Sequence, residues 1–303
     1  MSLADKWAAA TAGEIGLSYV AMFVVGVAKL YLVGCVFFLV ERIRPTVPGQ
    51  KFFKTDFITE LAYPLFNSAF TTPVFTVVSI LLSSYVLEPW VPKHVFGEQI
   101  AALPFVVQVL FVMLVADVGV YLEHWFAHKV LWDYHALHHV TPEVSWLTHA
   151  RVHPVNGLTI AASSLVVHFV FGVDGTATVV AGSLVLAISI WEHANMDFAW
   201  PKPFCYLLVS PRFHRWHHSS DAAAIDKNFC LVFPFLDLLM GTYYCPDRMP
   251  SAYGVHRDSP ADQAIPETFV NQMLYPFARM VERFRPARTA TGQAVAAPDP
   301  REP

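Results

Sequence analysis

The chain has 303 residues, of which 55% are hydrophobic and only 15% charged, with a formal net charge of −4. Soluble domains carry about 25% charged and about 45–50% apolar residues, so this balance excludes an ordinary water-soluble globule. It equally excludes a disordered chain, which needs low hydrophobicity, and gives nucleic acid no basic patch to bind.

The apolar residues fall in long blocks, and the opening stretch lacks the basic segment of a secretory leader. The first block, Gly16–Val40, exceeds the roughly 20 residues that cross a bilayer. Lys29 near its middle packs inside a bundle or snorkels to the interface, and Glu41-Arg42-Ile43-Arg44-Pro45 ends the span. The second block, Leu61–Leu87, contains Pro64 and Pro73, which predict a kink or a split into a hairpin. Trp90-Val91-Pro92 suits a membrane interface. The third block, Ile100–Leu122, leads straight into a histidine-rich polar stretch that ends at His153. Val155–Phe171 and Thr176–Trp191, separated by the turn Gly172-Val173-Asp174-Gly175, predict a helical hairpin that returns the chain to the side it left. Phe229–Tyr244 is short and broken by Pro234, so it packs at the interface rather than spanning. Arg279, Arg283, Arg285 and Arg288 form a basic segment for solvent, phospholipid or an acidic carrier, and the Ala/Pro/Thr-rich tail from about residue 285 is predicted disordered. Cys35, Cys205, Cys230 and Cys245 form no metal or redox spacing and read as unpaired, mostly buried thiols.

Charge fixes the orientation. If the second and third blocks each cross once, every Lys and Arg except Lys6, Lys29 and Lys93 lies on the side of the loop after the first span. The stretch 154–192 contains none. The positive-inside rule places that side, with the histidines, in the cytoplasm.

Of 14 histidines, 12 lie between His124 and His218. They form an HxxxH (His124, His128), an HxxHH (His135, His138, His139) and a second HxxHH (His214, His217, His218). Residues three or four apart share a helix face, so each box can aim imidazoles at one spot. Imidazole suits iron, zinc and copper, and eight such nitrogens exceed what one ion accepts, so two metals are expected. The first two boxes follow the third block and the last follows the out-and-back hairpin, so all emerge on one face. His94, His168 and His256 read as non-ligands. Asp117 lies in an apolar span two helical turns before His124; it either accepts the outer ring N–H of a ligand histidine or makes a helix-packing hydrogen bond. The predicted fold is all-α: a multi-span integral membrane helical bundle with a cytoplasmic-facing, histidine-rich helical metal-binding cap.

This combination of boxes resembles the fatty acid hydroxylase/sterol desaturase superfamily of membrane di-metal oxygenases, over roughly Leu103 to Tyr244. Asp117 matches the family's D-x6-H run, Val152-His153-Pro154 its F-H-P, and Glu192-His193-Ala194-Asn195 its Q-H-x-N. Ser210 to His218 match its T-P-x-x-H-x-x-H-H, and Leu236 to Tyr243 its closing W-D-x-L-F-G-T-Y. Glu192 in place of glutamine, and Asn228-Phe229-Cys230 in place of N-Y-G, depart from the pattern without removing a box histidine. The resemblance implies that the eight box histidines and His193 bind two Fe2+ ions, for which zinc can substitute in purified protein. It marks Asn195 as a catalytic candidate. His153 is either a ligand or a structural residue beside Pro154, and the same choice is open for His149. Residues 1–100 would be N-terminal transmembrane helices, 101–245 the catalytic domain and 246–303 a C-terminal cytoplasmic segment.

The activity implied is O2-dependent hydroxylation of an unactivated C–H bond in a lipid: a fatty acyl chain, a sterol or a relative. Desaturation by the same site is the alternative. A membrane metal transporter or metal-binding protein is the rival from another class, and it would spread its ligands along several spans. No electron-transfer domain is visible, so a separate donor of ferredoxin, cytochrome or reductase type is expected, alongside the lipid substrate and membrane lipids and without nucleic acid. Small size, with no fused donor or retention signal, leads us to expect an integral multi-pass protein of a bacterial inner membrane.

Overall fold

The computed structural model describes residues 14–51, 53–87, 89, 96–160, 171, 173, 175–255 and 265–284. His94, His168, His256, most of the first arm of the expected hairpin and the tail lie outside them, as does the side chain of Lys29. All helices and no strands are found among the described residues; the one β-type pairing is an isolated bridge between Ser219 and Tyr253.

Helix α1, Glu14–Ile43, runs unbroken because its sequence holds no proline until Pro45, and it stops two residues before that proline. Leu32, Val36, Leu39 and Ile43 on it are exposed, as expected of a rod that meets lipid. Its Gly34 is a contact point: a Cβ there would lie 2.1 Å from the ring of Trp146.

The second apolar block does not split into a hairpin. Helix α2, Phe57–Phe66, passes through a π-turn at Asn67–Thr71 into helix α3, Thr72–Leu81, and a second π-turn at Leu82–Leu87. Pro73 falls in the first turn of α3, just after the widened turn, so the ring and the missing N–H are absorbed where α-type bonding is already relaxed.

After the short α4, Gly97–Ala101, helix α5 runs from Phe105 to Lys129, and α6 follows at Trp132–His139. A 3-10 turn, Trp146–Ala150, precedes helix α7, Gly175–His193. Among the described residues, three stretches are long and apolar enough to cross a membrane: Phe23–Ile43 of α1, then α5 and α7. Helices α5 and α7 pack through Val109, Val112 and Met113 against Ala177 and Ala181, whose small side chains allow close approach.

Beyond α7 come short elements: α8 at Pro211–His217, α9 at Phe235–Met240 and α10 at Phe269–Arg283. Ser210 starts α8 by accepting the Phe213 N–H at 3.3 Å, with Pro211 in the first turn. Gly241 ends α9 at φ 74°, a left-handed conformation that favours glycine. Of the four cysteines only Cys230 is buried; Cys35 is exposed and Cys205 and Cys245 are half-buried, contrary to the expectation from sequence. Cys35 is exposed because it lies on the outer side of α1, where lipid rather than protein would cover it.

Candidate metal centre

Helix α5 carries His124 and His128 one turn apart at its C-terminal end, and α7 closes on His193. Two of the membrane-length helices, α5 and α7, thus deliver histidine at their C-terminal ends. The two HxxHH boxes then divide. His135 and His139, four apart on α6, join His124, His128 and His217 in one group; His138, His193, His214 and His218 form the other. Within each group, one potential ligand atom per residue lies within 4.8 Å of the others. The adjacent pairs His138-His139 and His217-His218 therefore straddle the two groups, and the rings of His139 and His218 stack with centroids 4.5 Å apart.

Five of the outer ring nitrogens have acceptors, while Nδ1 of His138, His214 and His218 is buried without a hydrogen-bond partner. His124 Nδ1 donates to the Phe229 carbonyl at 2.9 Å, His217 Nδ1 to the Lys227 carbonyl at 2.7 Å and His193 Nδ1 to the Ser189 carbonyl at 2.7 Å. His128 Nδ1 faces Asp226 at 3.2 Å and His135 Nδ1 faces Asn156 Oδ1 at 2.7 Å. Glu123 holds the amide of Asn156 through Nδ2 at 2.6 Å, which fixes its oxygen toward His135. A carbonyl or carboxylate acceptor requires the proton on Nδ1, so in these five rings Nε2 presents a lone pair inward.

Those inward nitrogens crowd one another. His193 Nε2 lies 3.2 Å from His138 Nε2, 2.9 Å from His214 Nε2 and 3.2 Å from His218 Nε2, while His214 and His218 are 3.1 Å apart. In the other group His135 Nε2 is 3.1 Å from both His124 Nε2 and His139 Nε2, and Nε2 of His128 and His217 has no hydrogen-bond partner. Protons cannot satisfy so many converging lone pairs, whereas a cation at each focus can. Burial pushes His135 down to about 4 and His217 to about 3, and holds His138, His139, His214 and His218 well below the usual range. They are neutral at pH 7, the form that ligates. The residues present fit a pair of metal ions with nitrogen ligands.

The remaining expected residues sit elsewhere. Asp117 does not meet a ligand ring: it accepts the backbone N–H groups of Leu231, Val232 and Phe233 at 2.7, 3.1 and 2.7 Å. Asp237 takes those of Phe229 and Cys230, each at 2.9 Å. The two carboxylates thus pin the segment whose Phe229 carbonyl holds His124. Asn195 clamps Val47 through both side-chain atoms, at 2.9 and 3.1 Å, and lines a cleft with Glu41 and Trp146 rather than joining the histidines. His153 accepts the Val155 N–H and donates to the Met273 carbonyl, and His149 bonds Ser189 Oγ at 2.9 Å; neither enters a group.

Several contributors carried no sequence signal of this role. Glu192 is fully buried with Oε2 3.5 Å from His214 Nδ1 and Oε1 3.9 Å from His193 Nδ1, and was marked only as a departure from a pattern. Arg215, inside the last box, points away from the histidine nitrogens and donates to the carbonyls of Val144, His193 and Ala194. Arg151 ties the Leu137 carbonyl, beside His138, to Asp56 and Gln272. Glu123, Asn156 and Asp226 were likewise unmarked.

The fatty acid hydroxylase family model matches residues 109–242, a range that takes in all nine converging histidines. Over 178 residues the chain is 28% identical to an ornithine lipid hydroxylase of Rhizobium tropici, covering 58% of this chain and 52% of that one. Over 158 residues it is 27% identical to an alkylglycerol monooxygenase of Danio rerio, covering 46% of this chain and 31% of that one. The matches thus span about half of the first relative and under a third of the second. No solved structure matches the chain.

Proposed function

We propose that this chain, whose residues 109–242 match the fatty acid hydroxylase family model, is a membrane oxidoreductase of that family that hydroxylates a lipid with O2 at a two-iron centre. The observation that carries the reading is the division of nine buried histidines into two groups with their nitrogens converging. His124, His128, His135, His139 and His217 would hold one iron, and His138, His193, His214 and His218 the other. Bound iron would supply O2 activation and attack on an unactivated C–H bond. Overall, one oxygen atom would enter the lipid and the other leave as water, with two electrons from a separate donor of ferredoxin, cytochrome or reductase type and two protons from solvent.

The chain's own residues prepare that chemistry. Carbonyls of Phe229, Lys227 and Ser189, with Asn156 and Asp226, hold the proton on Nδ1 and aim Nε2 inward. Asp117 and Asp237 fix the loop that supplies one of those carbonyls. Burial of the rings excludes water from the site. Glu192 places a carboxylate beside His214, where it would accept the Nδ1 proton of that ring.

The site lies at the ends of two apolar helices, which supports a lipid that enters from the bilayer, and the Lys and Arg asymmetry supports a cytoplasmic face. The relatives are named a hydroxylase and a monooxygenase, which supports oxygen insertion over desaturation. Transport is disfavoured because the histidines gather at helix ends instead of along the spans.

Metal analysis tests the centre. The parent chain, loaded with iron, is expected to hold two irons and consume O2 with reductant. His138→Ala/His139→Ala removes one nitrogen from each group and should abolish O2 use and most bound iron. Iron content and O2 use equal to the parent's would sink the assignment.

A further inference from the structure

Helix α10 lies outside the family match and carries a feature that the metal centre does not use. Its 15 residues span about 22 Å at 1.5 Å per residue. Val270, Leu274, Phe277, Val281 and Phe284 recur at alternating steps of four and three, which forms one stripe along the helix and onto its cap residue. They are 63%, 59%, 43%, 51% and 84% exposed, while Gln272, Tyr275 and Pro276 on the opposite side are buried. Large apolar side chains in so regular an exposed row call for a partner.

The anchoring of α10 says what that partner is. At its start, Phe269 packs on Tyr63 and Phe66 of α2, with ring centroids 5.1 and 5.5 Å apart, where the second apolar block begins. At its end, Arg283 pairs with Asp133 at 2.8 Å, four residues beyond the last residue of α5. One end is therefore pinned beside the start of the second apolar block and the other just past the C-terminal end of α5, which on the membrane reading face the same side. Gln272 inside the helix accepts from Tyr63 Oη at 2.8 Å and from Arg151 at 3.2 Å, which fixes the rotation that leaves the stripe outward.

We propose that α10 is an interfacial helix that lies along the bilayer surface, with Val270, Leu274, Val281 and Phe284 inserted among the lipids and Phe277, whose ring also packs on Tyr134 and His153, at the edge of the stripe. Its cations are engaged: Arg279 pairs with Glu282 at 3.0 Å and Arg283 with Asp133. Insertion therefore rests on apolar contact and needs no anionic lipid. The helix would hold α6, and with it His135, His138 and His139, at the membrane face where a lipid substrate arrives. The inference depends on the membrane reading of the long helices.

The unmodified chain in neutral phosphatidylcholine vesicles, with a photoactivatable carbene on the lipid tails, tests this. Peptides bearing Val270, Leu274 and Val281 should label to an extent comparable with exposed residues of α5, such as Val106 and Leu110, and high salt should not reduce it. Labelled α5 with unlabelled α10 would overturn the proposal and leave the membrane reading standing; failure of both would overturn the membrane reading too. A nitroxide at Leu274→Cys or Val281→Cys, with Cys35, Cys205 and Cys245 replaced by alanine, should collide with O2 more than with a water-soluble nickel complex. Glu282→Cys should show the reverse. Exclusion of both quenchers at positions 274 and 281 would mean that another protein surface covers the stripe, which also refutes insertion.

Discussion

Each HxxHH box serves both groups of histidines, so its adjacent pair spans the centre while the residue at the box's start joins only one side. The boxes were legible in sequence because spacings of three and four are local and ring chemistry is fixed by residue type. Their division was not, because it depends on how α5, α6, α7 and α8 cross. Nor were the acceptors: the carbonyls of Phe229, Lys227 and Ser189 are backbone atoms that every residue type carries. Asp117 shows the same limit, since a buried carboxylate announces a partner without naming it, and the partner proved to be three amides. Asn156→Ala removes the acceptor that fixes His135 and should weaken iron binding by about 10–100-fold, read by competition with a chelator, with the helical spectrum unchanged. Acid should act through the same rings. Unfolded histidine titrates near 6.5, but burial lowers His135 to about 4 and His217 to about 3. Below about 6.5 the unfolded chain binds protons that the folded, metal-free chain refuses, so stability falls as the pH is lowered through this window. Thermal melts of metal-free protein should show that decline; a melting temperature that rises on acidification through this window would refute it.

At the scale of elements, the long apolar blocks predicted helices where the structure describes them, and of the two outcomes that proline offered the hairpin split is not found. The second block stays helical because a π-turn accommodates Pro73, and no propensity rule signals where a helix will widen. Contact between elements is set by details equally silent in sequence. Gly34 has no role that its neighbours reveal, yet the Trp146 ring occupies the space that a Cβ would take. The same turn is held by Glu41, whose Oε1 accepts the N–H groups of Trp146 and Asn195 at 2.9 and 2.7 Å. Gly34→Ala should therefore destabilise the docking of α1 on the cap by about 1–3 kcal/mol, the usual cost of overpacking. Thermal melts should show the loss, with partial recovery when Trp146→Leu is added. A neutral Gly34→Ala would mean that α1 and the 3-10 turn do not pack as described.

For the whole molecule, the arrangement is a set of apolar rods that end together at a buried nitrogen-lined centre, with a cap clipped beneath by buried arginines. Composition alone revealed the rods. The closure of the cap was hidden, because Arg151 and Arg215 act through carbonyls far away in the chain. The account's central claim is that this centre transfers oxygen from O2 to a lipid. The most direct measurement is the mass of lipid recovered from membranes that hold the parent chain, reductant and electron donor under isotopically heavy O2. One heavy oxygen atom in the product, lost in His138→Ala/His139→Ala, is the predicted result. A product that has lost two hydrogens and gained no oxygen, or one whose new oxygen comes from water, would contradict it.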